Sequence, residues 1–144
     1  MELLLLGGTA FLGRAIASSA LARGHSVTCL TRGGTLPPEG ATPVTADRDD
    51  ERGLEPVAGR VWDAVIDVSR QPGQVRRAIR DLHTSHWVFV SSANVYADYS
   101  AVERDEDAAT RAPLDGDVME DMSTDGEAKV ACENAIRACG VSAT

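Results

Sequence analysis

Three glycines near the N-terminus have the type and spacing to do chemistry. Glu2–Arg14 reads Glu-Leu-Leu-Leu-Leu-Gly-Gly-Thr-Ala-Phe-Leu-Gly-Arg. Leu3–Leu6 is a short apolar run of the kind that forms a buried parallel strand. It stops at Gly7-Gly8-Thr9, and Phe11, Leu12, Ala15, Ile16, Ala20 and Leu21 then recur at helical spacing. A strand, a glycine turn and a helix aim free backbone N–H groups and a positive helix end at one point, a geometry suited to a phosphate. Gly7 would make the tight turn, Gly8 would admit a pyrophosphate, and Gly13 would bring the helix close to the sheet. The pattern is Gly7-x-x-Ala10-x-x-Gly13 with an extra Gly8, not G-x-G-x-x-G. A dinucleotide cradle and a purely structural turn both fit it.

Other residues extend this reading. Thr31-Arg32-Gly33-Gly34 follows a second apolar segment, where a nucleotide fold reads the adenine ribose. A carboxylate there favours NAD and an arginine accommodates the 2′-phosphate of NADP. Arg32 therefore points to NADP, with NAD as the other option; a solvated arginine at a strand end is the simpler alternative. Asp47 closes a third short segment and could accept from an exocyclic amine or cap the following backbone. The hydroxyls of Ser91-Ser92 follow the apolar run Trp87–Val90, at the strand end where open α/β sheets bind ligands. Asp125 and Lys129 stand four apart, as an exposed helical ion pair would.

Composition excludes several classes. The chain has 144 residues, enough for one domain with a core. The net charge of −8 disfavours nonspecific nucleic-acid or anionic-membrane binding. No apolar run is long enough to span a bilayer, and the N-terminus carries neither a basic region nor a cleavage site. Cys29, Cys132 and Cys139 form no metal motif, and His25, His83 and His86 are scattered. Cys132 and Cys139 would lie roughly 10 Å apart on a helix, too far for a disulfide. No structural metal and a reducing cytoplasm are expected.

Positioning these residues requires alternating strands and helices. Strands are expected at Leu3–Leu6, Ser26–Leu30, Pro43–Ala46, Ala64–Val68 and Trp87–Val90. Helices are expected from Phe11 to Gly24, over Asp49–Ala58, over Gln71–Leu82 and over Asp125–Cys139, with Gly24 and Gly140 as stops. Arg76, Arg77 and Arg80 face away from the apolar stripe of the third helix and are read as a solvated face. Thr35–Ala41, with Pro37-Pro38 and Gly40, is loop. Asp98–Asp125 is long and acidic, carrying Glu103, Asp105, Glu106, Asp107, Asp115, Asp117, Glu120 and Asp121 against Arg104 and Arg111. It is expected to be mobile, with part of it disordered.

Two segments resemble a known family. Gly-Gly-Thr-x-Phe-Leu-Gly and Ser-Ser-x-x-Val-Tyr (Ser91–Tyr96) resemble the extended and atypical short-chain dehydrogenase/reductases, the epimerase/dehydratase-like group. The resemblance implies a doubly wound parallel-sheet Rossmann fold. It implies a pyrophosphate cradle of Gly7, Gly8, Thr9, Phe11, Leu12 and Gly13, with Arg32 and Asp47 at the adenosine end. Val68 and Ser69 would line the nicotinamide side. Ser92 would be the catalytic serine that polarises the substrate oxygen. Lys129 would be the lysine of the family's Tyr-x-x-x-Lys motif, binding the ribose and lowering the tyrosine pKa. The implied chemistry is hydride transfer on a small carbonyl or alcohol.

The sequence departs from the family at three points. Ala10 stands where most extended members carry glycine. Asp125 stands where the catalytic tyrosine belongs, and Tyr96 and Tyr99 are the only tyrosines. The chain stops after about five strands, so the expected domain over 1–144 is a truncated dinucleotide-binding domain without the family's substrate region. An uncovered sheet edge would favour homo-oligomers. Two readings follow: an NAD(P)-dependent oxidoreductase or epimerase acting on a small molecule, or a non-catalytic dinucleotide sensor that has lost the tyrosine. A third, RNA binding as in some atypical relatives, is disfavoured by the acidic balance.

Overall fold

A computed structural model describes residues 1–98, 100 and 105–144. Tyr99, Glu103 and Arg104 lie outside the described residues. Among the described residues eight strands form, β1 (Glu2–Leu6), β2 (Ser26–Thr31), β3 (Thr42–Thr45), β4 (Val61–Trp62), β5 (Ala64–Asp67), β6 (His83–Thr84), β7 (His86–Phe89) and β8 (Ser142–Ala143). The helices are α1 (Phe11–Ala22), α2 (Glu55–Ala58), α3 (Pro72–Asp81) and α4 (Asp125–Ala138), with short 3-10 turns at Ala93–Val95 and Met122–Thr124. The main sheet is parallel throughout, in the order β3-β2-β1-β5-β7-β8. The order reverses between β1 and β5, and such a switch point opens a crevice at the carboxyl ends of the strands. A separate parallel pair joins β4 to β6.

The apolar runs are continuous because both faces of the sheet are covered. Side chains alternate along β1, so Leu3 and Leu5 face one layer and Leu4 and Leu6 the other. Leu3 and Leu5 pack with Val27, Cys29, Ala64, Ile66 and Ala17 of α1. Leu4 and Leu6 pack with Leu30, Val65, Trp62, Trp87 and the inner faces of α3 and α4. All four leucines are buried.

The fold is the expected doubly wound Rossmann sheet, with six strands rather than about five. The sixth, β8, is two residues long, too short for hydrophobic periodicity to reveal. It is held by Phe89 N donating to Thr144 O and Thr144 N donating to Trp87 O, both at 2.9 Å. The face expected for α1 is also corrected. Gly13 and Ala17 are its buried residues, whereas Phe11 is 91% exposed and Leu12 45%. The helix expected over Asp49–Ala58 shrinks to α2, because residues 47–53 close into tight turns. A Cβ on Gly53 would stand 1.8 Å from Asp47 O.

The acidic segment is tied down where it is described. Tyr96 and Thr110 form an antiparallel bridge, and Leu114 N donates to Glu127 O at 2.8 Å. Gly73 N donates to Asp117 O at 2.9 Å, and Gln71 exchanges two hydrogen bonds with the Met119 backbone. These bonds anchor residues 110–119 to α3, α4 and the Ala93–Val95 turn and its flank. The arginines of α3 are likewise partnered: Arg76 pairs with Asp117, Arg77 donates to Arg48 O, and Arg80 pairs with Glu51 and Asp81.

Candidate functional site

The glycine turn leaves β1 at the switch point. Gly7 has φ +109°, and a Cβ there would stand 2.7 Å from Val68 Cγ2. A Cβ on Gly8 would meet Cys29 Sγ at 2.5 Å, and one on Gly13 would meet Gly7 O at 1.9 Å. The turn and the helix after it therefore touch backbone to backbone. No side chain caps α1, and no acidic residue occupies its first turn. Such a helix start offers N–H groups and positive potential to an anion. Thr9 lies half-buried in the turn, and Phe11 and Leu12 stand exposed beside it.

Next to this turn a cleft of about 280 Å³ opens across the carboxyl ends of β2, β3 and β5. Thr31 and Arg32 form one wall, Arg48 and Asp49 another, and Val68, Ser69 and Arg70 a third. Arg32, Val68 and Ser69 all line this cleft. Asp47 does not line the cleft. Its Oδ1 accepts from Asp49 N at 2.9 Å, so the carboxylate caps its own turn. Its neighbours Arg48 and Asp49 supply the polar surface instead.

Beneath the cleft lies a buried ion pair that the sequence reading missed. Asp67 is fully buried at the end of β5. Arg48 donates from Nη1 to Asp67 Oδ1 at 2.9 Å and from Nη2 to Asp67 Oδ2 at 2.7 Å. Nη2 also donates to Gln74 O at 3.0 Å, and Asp67 Oδ1 accepts from Ser69 N at 2.8 Å. A carboxylate closing the buried run Ala-Val-Ile-Asp was a signal available in the sequence, because charged groups are rarely fully buried unpaired. Two polar atoms at this wall, Arg48 Nε and Ser69 Oγ, are buried without a hydrogen-bond partner among the described residues. Unpaired buried polar atoms beside a cleft suit a polar ligand.

Lys129 joins the ends of two strands. Its Nζ donates to Ser69 O at 2.7 Å, past the end of β5, and to Val90 O at 2.6 Å, past the end of β7. An ammonium has three donors, so one remains after these two bonds. The residue is only 6% exposed, and Nζ lies 4.7 Å from the centroid of the Phe89 ring. Burial pushes the Lys129 pKa down, and the nearby carboxylates of Asp67 and Asp125 oppose that shift.

Asp125 does not form the expected exposed pair with Lys129. It is 6% exposed, and its Oδ2 accepts from Asn94 Nδ2 at 3.0 Å. Its Oδ1 lies 3.9 Å from Arg70 Nη1. The start of α4 is pressed onto the Ala93–Val95 turn, since a Cβ on Gly126 would stand 2.1 Å from Asn94 O. That close fit turns Asp125 inward to Asn94, while the carbonyls of Ser69 and Val90 take Lys129. Ser92 begins the same turn, and its Oγ accepts from Asn94 N at 3.2 Å. Its own O–H is left to donate elsewhere. Ser91 instead donates to Glu133.

Among the described residues no cluster of His, Cys, Asp or Glu could hold a metal ion. Among them, too, no helix is long and apolar enough to cross a membrane.

The model of the NAD dependent epimerase/dehydratase family matches residues 3–143. No curated protein matches the chain. Many solved structures share its fold. A Burkholderia cenocepacia J2315 protein assigned as an epimerase is 25% identical, with a TM-score of 0.73 over 96% of this chain and 50% of that one. The UDP-N-acetylglucosamine 4-epimerase of Bacillus cereus is 18% identical, with a TM-score of 0.74 over 99% of this chain and 51% of its own. A short-chain dehydrogenase/reductase superfamily protein from Agrobacterium tumefaciens, solved with bound NAD, is 18% identical. Its TM-score is 0.77 over 95% of this chain and 44% of that one. The chain thus spans about half the length of these structures. With its glycine turn, switch-point cleft and strand-end lysine, the chain belongs to the NAD-dependent epimerase/dehydratase family.

Proposed function

We propose that the chain binds a nicotinamide dinucleotide across the carboxyl edge of its sheet and serves hydride transfer on a small carbonyl or alcohol substrate. The observation that carries this is the backbone contact between Gly13 and Gly7 beside the uncapped start of α1, an arrangement suited to a pyrophosphate. In this reading Gly7, Gly8 and Thr9, with the first-turn residues Phe11 and Leu12, hold the pyrophosphate. Arg32, exposed at the end of β2, meets a 2′-phosphate and makes NADP the preferred cofactor over NAD. Lys129 keeps one ammonium N–H for the ribose hydroxyls. Ser92 donates its hydroxyl proton in a hydrogen bond to the substrate oxygen as charge develops there. The bound dinucleotide would supply the hydride donor or acceptor. The wall residue Asp49 replaces Asp47 in the adenosine contacts, because Asp49 lines the cleft and Asp47 does not.

A second reading, a binding module without catalysis, is favoured by Asp125. The position of the family's tyrosine holds a carboxylate that accepts from Asn94 and faces Arg70. It cannot reach as far as a phenol. The two readings separate in a turnover assay at about pH 7–8. The unmodified chain and Asp125→Tyr are given NADPH and a panel of small aldehydes and ketones. Turnover by the unmodified chain at the variant's rate supports the enzyme and removes the sensor. Turnover that appears only in Asp125→Tyr, with equal NADPH binding by both, supports the sensor.

A further inference from the structure

We propose that the buried Arg48–Asp67 ion pair positions Lys129, acting through the backbone of Ser69. Its value for ligand binding rests on the dinucleotide reading above, whereas the positioning itself does not.

The contacts form an unbroken line through the floor of the cleft. Arg48 is fixed from three directions. Its two Nη atoms grip both oxygens of Asp67, Nη2 also bonds Gln74 O of α3, and its carbonyl accepts twice from Arg77 at 3.1 and 2.8 Å. The Arg48 side chain is 8% exposed and that of Asp67 is 0% exposed. The geometry is therefore that of a two-pronged pair held away from solvent screening. Asp67 Oδ1 takes the Ser69 N–H at 2.8 Å, and Ser69 O takes Lys129 Nζ at 2.7 Å. The peptide units that flank Ser69 are thus pinned on one side by the carboxylate and read on the other by the ammonium.

This arrangement is demanding. Lys129 is buried, yet its direct partners are two carbonyl dipoles and not a carboxylate. A buried ammonium is tolerated only when its acceptors are held in place. The Val90 carbonyl lies just past the end of β7, where Val90 N donates to Asp67 O at 3.0 Å. The Ser69 carbonyl lies in the turn beyond β5 and depends on Asp67. Asp67 in turn is held at both oxygens by Arg48. The third Lys129 N–H, the one left for a ribose, is aimed by the two that are used.

Lys129 is the single lysine of the chain, which gives a direct test. Protein labelled with ¹⁵Nζ-lysine yields one ammonium resonance, and its hydrogen exchange with water reports whether both carbonyl bonds persist. The unmodified chain is compared with Asp67→Asn and Arg48→Gln. Arg48→Gln removes the guanidinium fork without adding a second lysine, and it serves should Asp67→Asn fail to fold. Val27→Ala, on the opposite face of the sheet, controls for general loss of stability. The expected result is a shifted resonance with exchange at least about tenfold faster in the two pair variants and not in Val27→Ala. Exchange that stays within about twofold of the unmodified chain in both pair variants would overturn the proposal, as would equal acceleration in Val27→Ala. NADPH added to the unmodified sample keeps the two claims apart. A resonance that ignores NADPH counts against the dinucleotide reading, while the exchange comparison still decides the positioning.

Discussion

Gly13 carries the most specific claim of any single residue. Its missing Cβ would stand 1.9 Å from Gly7 O and 3.1 Å from Gly8 Cα, both backbone atoms that cannot swing aside. Gly13→Ala must therefore push α1 off the glycine turn. The expected cost is about 1–3 kcal/mol in urea unfolding, as for overpacking elsewhere. Dinucleotide affinity should fall with it, whereas Gly24→Ala, at a site with nothing within 4 Å, should leave affinity unchanged. Such glycines are legible in a sequence because only glycine fits their role. Asp67 gave a signal by closing a buried run, but its pairing with Arg48 was not legible, because nothing local joins residues 19 apart until the fold brings them together. Asp125 and Lys129 misled for the opposite reason. Helical spacing offered each the other as a partner, and the fold offered both better ones: Asn94 for the carboxylate, the carbonyls of Ser69 and Val90 for the ammonium.

Strands and helices were readable in proportion to their length and burial. β1, β2 and α3 follow from runs and stripes of apolar residues, since both faces of the sheet are covered. β8 has two residues and no pattern, and α2 is what remains after turns consume Asp47–Gly53. Packing of the elements also has a consequence at alkaline pH. Burial pushes the Cys29 thiol on β2 from 9.0 up to about 11 and the Cys132 thiol on α4 from 9.0 up to about 12. In the unfolded chain these thiols lose their protons near pH 9, so above that the folded state binds more protons than the unfolded state. Stability then falls as pH rises from about 9 to about 11, with a slope of up to one proton per thiol. Lys129, pushed down by burial, works with the opposite sign until its unfolded value near 10.4, and contributes at most one proton against two. Urea midpoints measured across this range should fall, and fall less steeply in Cys29→Ala with Cys132→Ala. An equal slope in that double variant would refute the assignment.

At the scale of the whole molecule, the six-stranded sheet places one row of chemistry along its carboxyl edge. The glycine turn follows β1, Arg32 follows β2, Arg48 and Asp49 follow β3, Ser69 follows β5 and Ser92 follows β7. Lys129 reaches in from α4 to bridge the last two. Family membership was legible from two short motifs because they lie at the ends of β1 and β7, where the fold and the site constrain the same residues. Departures such as Asp125 leave the sheet intact and alter only what the edge can do. The central claim is that this edge holds a nicotinamide dinucleotide. Calorimetric titration of the purified chain with NADPH and with NADH, repeated on Arg32→Ala, tests it most directly. Saturable binding of both is expected, tighter for NADPH, with the difference lost in Arg32→Ala. Heats of dilution alone for both dinucleotides, from a chain that unfolds cooperatively, would contradict it.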